Sequence, residues 1–154
     1  MRVERCSGET LDDWAALRHA LWPDADIATH RAEAADSLSD SDQVAFLVRD
    51  AAPGVQEGGV LGIAEASLRR DYVNGCETSP VAFLEGIYVR EGQRKRGVAR
   101  LLVRAVEDWA RSVGCSELAS DADIGNDASH RMHDALGFEE TERVVYFRKL
   151  LDQG

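Results

Sequence analysis

The chain has few cysteines and no histidine–cysteine cluster. Its three cysteines, Cys6, Cys76 and Cys115, are odd in number and lack the paired spacing of zinc or thiol-exchange motifs. The four histidines do not cluster with them in the sequence, so we expect no metal site. Unpaired cysteines are typical of reducing compartments, and we therefore expect reduced thiols in a cytoplasmic protein.

Long apolar runs are also absent. No apolar segment approaches the roughly 18 residues that a membrane-spanning helix needs. The N-terminal stretch MRVERCSGET lacks the apolar core of a signal peptide. We therefore expect neither membrane insertion nor export.

Positive charge is scarce as well. The 154 residues carry 18 basic and 28 acidic side chains, which gives a net charge of −10. This balance argues against a nucleic-acid-binding protein, which needs a basic face. It permits a cationic ligand, because an acidic cleft concentrates cations, although acidity can also serve solubility alone. The length and the 44% hydrophobic content predict one domain, 1–154, with its own core.

Apolar periodicity and turn residues predict the element order β-α-α-β-β-β-α-β-α-β, an α/β architecture. A capping box is expected at Thr10 and Asp13, and a turn at APGVQEGG, residues 52–59. The predicted strands are RVERCS, 44–49, 60–68, 81–89, 116–120 and 143–150, and the predicted helices begin near Leu11, Ile27, Val98 and Asn126.

One segment contradicts the acidic character of the rest. In residues 89–102, VREGQRKRGVARLL, two glycines and the basic residues Arg90, Arg94, Lys95 and Arg96 lie between an apolar strand and an apolar helix. Backbone N–H groups and the helix dipole favour an anion at such a helix start. The pattern is not a P-loop, because Val98 and Ala99 follow Gly97. A solvated turn with ordinary surface charges remains the alternative.

The segment resembles the acetyl-coenzyme A signature of the GNAT N-acetyltransferase superfamily. The similarity lies in Arg94-x-x-Gly97-x-Ala99 and in a later helix that ends in Gly137-Phe138. It implies the GNAT fold, a mixed, mostly antiparallel sheet flanked by helices, with a bulge in the strand before the loop. It also implies acetyl-CoA as co-substrate and no metal. The cofactor-binding residues implied by the resemblance are Ile87, Tyr88, Val89, Arg94, Lys95, Arg96, Gly97, Val98, Ala99, Asn126, Ser129 and His133.

His133 departs from the superfamily pattern. Many members have a tyrosine here, which protonates the leaving thiolate. An imidazole exchanges protons near neutral pH, so His133 can serve as that acid or as a hydrogen-bond partner of the cofactor only.

A closer resemblance is to bacterial aminoglycoside 6′-N-acetyltransferases. It rests on LRHALWPD, LRRDYVNGCETSPVAFLEGIYV, ASDADIGN and LGFEETERVVYFRK, which are spread over nearly the whole chain. The resemblance implies acetyl transfer from acetyl-CoA to the 6′-amine of aminoglycoside antibiotics, and hence resistance. It also implies a homodimer, in which the final strand could pair or swap between subunits.

Two acids are candidates for handling the acceptor amine. The amine must lose a proton before it attacks a thioester, so a base is required. Glu85 lies inside an apolar strand, where a carboxylate is costly unless it is paired or faces a cleft; an outward-facing edge glutamate is the alternative. Asp121 ends a strand, where α/β sheets place ligand sites, or it is only a turn acid.

Other residues are candidates for binding the aminoglycoside. Trp22 and Tyr72 could cover its rings, and Asp123 could add a carboxylate, although aromatic residues often belong to the core. Trp14 and Trp109 fall on apolar helical stripes, so we assign them to the core.

Two other functions remain open at this stage. The acceptor could be a polyamine, another small amine or a protein amine. The chain could also be a coenzyme A-binding module without turnover, although Glu85 and Asp121 argue against that.

Overall fold

The computed structural model describes residues 1–50 and 59–153. Most of the turn predicted at 52–59 therefore lies outside the described residues. The chain divides into two compact units, Met1–Asp121 and Ala122–Gly154. In the described part of the chain, no helix has the length and apolar character needed to cross a membrane.

The first unit is built on a five-stranded sheet in the order β1-β2-β3-β4-β5. Neighbours are antiparallel except β4 and β5, which are parallel. The strands are β1 (Arg2–Arg5), β2 (Gln43–Arg49), β3 (Val60–Arg69), β4 (Val81–Val89) and β5 (Leu118–Ser120). The helices of this unit are α1 (Leu11–Leu21), α2 (Ile27–Ser37) and α3 (Val98–Ser112). The sheet therefore has the mixed, mostly antiparallel character predicted from the sequence.

The start of α1 differs from the prediction. A 3₁₀ turn, Gly8–Thr10, precedes the helix, and its capping box pairs Ser7 with Thr10. The Thr10 hydroxyl accepts from the Ser7 amide at 2.9 Å, and Thr10 makes no side-chain cap to α1. The predicted Thr10–Asp13 capping box is wrong, because Ser7 already engages the Thr10 hydroxyl.

The helices pack on opposite faces of the sheet. Trp14 and Leu17 of α1 form a buried cluster with Leu47 and Ile63, which point to one side of β2 and β3. On the other side of β3, Gly62 lies against α3. A Cβ at Gly62 would lie 3.0 Å from the side chain of Val98. The predicted burial of Trp14 and Trp109 is confirmed, with 2% and 6% exposed.

The second unit contains α4 (Asp127–Ala135) and a terminal segment without regular structure. The Asn126 side chain caps α4 by accepting from the Ser129 amide at 3.1 Å. Residues 138–153 lie in neither helix nor strand, so the strand predicted at 143–150 is wrong. A strand needs a neighbouring backbone to satisfy its N–H and C=O groups, and an apolar run in the sequence does not supply one.

Candidate active site

The site is organised by a bulge in β4. Glu65 of β3 pairs with Gly86, but the next residue, Ala66, pairs with Leu84. Glu85 is therefore the extra residue, without a partner in the ladder. A bulge re-aims a side chain out of the regular alternation, so Glu85 leaves the buried pattern of Val81–Leu84 and is exposed. The bulge expected before the basic loop is thus present.

The Glu85 carboxylate is held by two side chains of β3. The Ser67 hydroxyl donates to Oε1 at 2.5 Å. The Arg69 guanidinium donates from Nε to Oε1 at 3.1 Å and from a terminal nitrogen to Oε2 at 2.8 Å. The side chain of Glu85 remains 33% exposed. It is neither a buried, unpaired acid nor an isolated edge glutamate.

Trp22 lies beside the bulge. A Cβ built on Gly86 would lie 2.6 Å and 2.8 Å from two ring carbons of Trp22, so the indole packs directly on the glycine backbone. Trp22 is half-buried. Its carbonyl accepts from Nε2 of the buried His30 at 2.8 Å. The structure therefore brings together Trp22 and Glu85, two residues singled out from the sequence.

Beneath Trp22, a buried ion pair ties the helices to the sheet. Arg18 donates to both Glu65 oxygens at 2.5 Å and 2.7 Å, and its Nε donates to Nδ1 of His30 at 3.2 Å. Trp14 donates its indole N–H to Glu65 at 2.8 Å. Arg18 and Glu65 are only 12% and 16% exposed. This cluster could not be predicted, because its members are distant in sequence.

Tyr72 stands on the loop between β3 and β4 and is 76% exposed. The core alternative for Tyr72 is therefore wrong. The Glu117 carboxylate anchors the end of this loop, because it accepts from the Glu77 and Thr78 amides at 3.0 Å and 2.7 Å. These bonds, led by that of the Thr78 hydroxyl, lower the pKa of Glu117. The carboxylate is thus ionised at neutral pH and keeps its hydrogen bonds to the loop.

The basic loop has the geometry of an anion site. Gly92, Lys95 and Gly97 have φ of 85°, 65° and 84°, a left-handed conformation that favours glycine. Gly97 is the N-cap of α3 and supplies no side-chain cap. The first N–H groups of a helix have no partner within the helix, so the amides of Val98 and Ala99 can bind an anion. These residues fit a pyrophosphate.

The strand leading into the loop offers a backbone edge. β5 pairs with β4 only at Ala82–Leu84. In the described sheet, residues Glu85–Val89 therefore have a strand neighbour only on the β3 side. Ile87, Tyr88 and Val89 are half-buried. An extended arm that carries amide groups can add to such an edge.

Asp121 directly follows β5 and is exposed. Its carboxylate is therefore accessible to solvent, and its role toward the acceptor stays a prediction.

The second unit carries the remaining candidates. Asp123 is exposed, and its carbonyl accepts from His130 Nε2 at 2.9 Å. His133 places Nδ1 2.7 Å from the Ser129 carbonyl oxygen, and its ring meets Phe138 edge-on. The Ser129 hydroxyl lies 3.3 Å from the same nitrogen. Nδ1 therefore donates to the carbonyl or accepts from the hydroxyl, depending on the tautomer of the ring.

Sequence reasoning missed Ser67 and Arg69. Both lie on β3, and they reach Glu85 only because β3 and β4 pair in one register. The available signal was period-2 spacing, since polar Ser67 and Arg69 share one face of the strand. In the described residues, no group of three or more His, Cys, Asp or Glu side chains could hold a metal ion.

Residues 11–138 match the model of the Acetyltransferase (GNAT) family. The chain therefore belongs to the GNAT acetyltransferase family. A relative from Serratia marcescens, named aminoglycoside N(6′)-acetyltransferase type 1, is 52% identical over 95% of this chain and 97% of its own.

Two solved structures of 6′-N-acetyltransferases share the fold of this chain. AAC(6′)-Iy in complex with the bisubstrate analogue CoA-S-monomethyl-acetylneamine is 41% identical, with a TM-score of 0.89 over 97% of this chain and 98% of that one. The 6′-N-acetyltransferase AAC(6′)-IG from Acinetobacter haemolyticus, in apo form, is 43% identical, with a TM-score of 0.88 over 99% and 100%.

Proposed function

We propose that this chain is an aminoglycoside 6′-N-acetyltransferase that uses acetyl-CoA and thereby confers aminoglycoside resistance. The observation that carries the proposal is the 52% identity to the Serratia marcescens enzyme over nearly the full length of both chains. The AAC(6′)-Iy structure adds support, because its bound analogue joins CoA to an acetylated neamine. In the reaction, the amine nitrogen bonds to the acetyl carbon, the carbon–sulfur bond breaks, and CoA leaves as its thiol.

The co-substrate belongs on the basic loop. The amides from Arg94 to Ala99 bind the pyrophosphate, and the side chains of Arg94, Lys95 and Arg96 add positive charge. The backbone of Ile87, Tyr88 and Val89 pairs with the pantetheine arm and places the thioester beside the bulge. Asn126, Ser129 and His133 are further cofactor contacts in this proposal.

The acceptor is held by carboxylates and aromatic rings. Glu85 and Asp121 bind the amine and take its proton, directly or through water, so that a neutral nitrogen attacks. Trp22 and Tyr72 cover the sugar rings, and Asp123 adds a further negative charge. His133 protonates the leaving thiolate or serves only as a hydrogen-bond partner of the cofactor.

The proposal is tested by measuring thiol release from acetyl-CoA with the purified protein. Kanamycin and tobramycin are compared with gentamicin-type compounds that lack a free 6′-amine, with spermidine and with a lysine peptide. Saturable turnover with the first two, lost without the 6′-amine, is the expected result. Turnover only with spermidine or the peptide would keep the chemistry and reject the aminoglycoside as acceptor. Binding of acetyl-CoA without any turnover would instead indicate a binding module.

We further propose a homodimer held together by the terminal segment 143–151. Arg143–Leu150 contains an apolar run, Val144–Phe147, that is rich in β-branched and aromatic residues, but it pairs with no strand of the described sheet. Its large apolar side chains are exposed, a pattern that marks an interaction surface. They are Val144, Val145, Tyr146, Phe147, Leu150 and Leu151, between 48% and 91% exposed. A second copy offers a matching sheet edge, because a two-fold pair is self-complementary.

A further inference from the structure

We propose that Arg69 is a positioning residue of the acceptor site, which holds the Glu85 carboxylate in place and balances its charge. The inference rests on the proposed function, because it concerns how Glu85 receives the acceptor amine. Arg69 falls within one of the sequence blocks that carry the resemblance, but the resemblance implies no role for it. The case depends on the contacts of its guanidinium and on where the bulge places Glu85.

Arg69 is itself fixed on two sides. Its guanidinium meets Glu85 through two N–H groups, at 3.1 Å and 2.8 Å. Its central carbon lies 3.5 Å from the centroid of the Phe83 ring, and Phe83 is only 5% exposed. Stacking on an aromatic face and fork-like pairing with a carboxylate are both properties of arginine that lysine does not reproduce. The guanidinium is therefore a fixed counter-ion rather than a mobile surface charge.

The strands explain why these groups meet. Ser67 and Arg69 are two residues apart on β3 and share one face. Ser67 lies opposite Phe83 in the ladder, so Phe83 is on that same face. The bulge shifts Glu85 out of register, and its carboxylate turns toward the two β3 side chains. In a ladder that continued the preceding register without the bulge, Glu85 would lie opposite Glu65.

The carboxylate is left with limited capacity. An ionised carboxylate offers about four acceptor positions. Ser67 and the two N–H groups of Arg69 occupy three of them. About one position remains for an ammonium group or for a water that carries its proton. Arg69 thus directs the free lone pair and also reduces the net charge that an incoming cation meets.

This arrangement predicts a split between the two kinetic constants. In Arg69→Gln, Glu85 loses its fixed orientation, so kcat should fall by about 10–100-fold, as expected for a misplaced reacting group. The KM for kanamycin should not rise, because an uncompensated carboxylate attracts a polycation at least as well. A purely structural defect would instead raise the KM for kanamycin and the KM for acetyl-CoA, and it would lower the melting temperature.

The experiment measures kcat and KM for kanamycin in the wild type, Arg69→Gln, Arg69→Lys and Arg70→Gln. Arg70 is the matched control, since it pairs with Asp42 on the surface at 2.9 Å and is 63% exposed. We expect Arg70→Gln to match the wild type and Arg69→Lys to recover part of the lost kcat. Glu85→Gln and the Glu85→Gln/Arg69→Gln double variant complete the cycle. Because Arg69 acts through Glu85, the double variant should be no slower than Glu85→Gln alone.

Three results would overturn the inference: wild-type kcat in Arg69→Gln, additive losses in the double variant, or a raised KM for kanamycin with kcat unchanged. If Arg69→Gln does not fold, Ser67→Ala and Arg69→Lys carry the test, and wild-type kcat in both would reject it. Lack of turnover in the wild type would reject the proposed function, whereas wild-type turnover with an unaffected Arg69→Gln would reject only the inference.

Discussion

At the scale of single residues, position in the ladder decides what a carboxylate can do. Glu65 and Glu85 lie on neighbouring strands, one residue from facing each other. The Glu65 carboxylate faces α1, where it accepts hydrogen bonds from Arg18 and Trp14. Glu85 lies on the bulge, where Ser67 and Arg69 bind its carboxylate while part of the side chain stays open to solvent. Only the second can accept a proton from a ligand.

Replacing Glu85 with glutamine tests that distinction. The amide keeps the shape but cannot take a proton, so turnover with kanamycin should fall by about 100-fold, within the usual contribution of general base catalysis. Binding of acetyl-CoA, measured by calorimetry, should be unchanged. The control is Glu9→Gln, an exposed acid on the 3₁₀ turn. Normal turnover in Glu85→Gln would remove Glu85 from the role of base.

Cys6 provides a prediction on pH and stability. Burial raises the pKa of this thiol from 9.0 to about 12. The neutral form is thus favoured in the folded state, and the stabilisation is present below pH 9 and lost as the pH rises toward 12. Urea unfolding should show the wild type losing stability faster than Cys6→Ala above pH 9, by at most about 1.4 kcal/mol per pH unit. Parallel pH profiles for the two proteins would contradict this assignment.

At the scale of elements, the sequence predicted the segments proposed to bind the co-substrate better than those proposed to shape the acceptor site. β4 and the start of α3 lie where the patterns placed them, at Val81–Val89 and Val98, because their signals are local. The partners of Glu85 were missed, since period-2 spacing places Ser67 and Arg69 on one face but does not give the bulged register that brings them to Glu85. The predicted terminal strand was wrong because an apolar run in the sequence cannot show whether a pairing edge is available.

The loop before α3 can be tested through its left-handed glycine. Gly97 has φ of 84°, and a Cβ there meets nothing within 4 Å, so the effect of Gly97→Ala is conformational only. The left-handed conformation costs an L-residue roughly 1–2 kcal/mol. We expect about 5–30-fold weaker binding of acetyl-CoA if the loop relaxes away from that conformation. Gly8→Ala, which also has open space and no positive φ, is the control. Equal affinities in both variants would contradict the role of the loop.

At the scale of the whole molecule, the basic loop and the acidic remainder of the chain are proposed to attract substrates of opposite charge. The chain carries a net charge of −10, yet four of its 18 basic residues, Arg90, Arg94, Lys95 and Arg96, lie in the short loop before α3, where an anionic co-substrate is proposed to bind. The acidic remainder favours the approach of a polycation by steering. Salt should therefore weaken capture of kanamycin more than it weakens turnover of bound substrate.

The proposed dimer is a property of the whole molecule as well. Val145 and Phe147 are apolar residues of the terminal segment and are 77% and 91% exposed. Changing both to glutamate should convert a dimer to a monomer in light scattering after size-exclusion chromatography. Lys149→Glu, which alters charge without removing apolar surface, should remain dimeric. A wild-type monomer, or a dimer that survives the double change, would contradict the proposal.

The most direct test of the central claim is the position of the new acetyl group. Kanamycin is converted by the purified protein with acetyl-CoA, and the product is analysed by two-dimensional NMR. We predict one acetyl group, on the 6′-nitrogen. Acetylation at a different amine, or no product despite bound acetyl-CoA, would contradict the account.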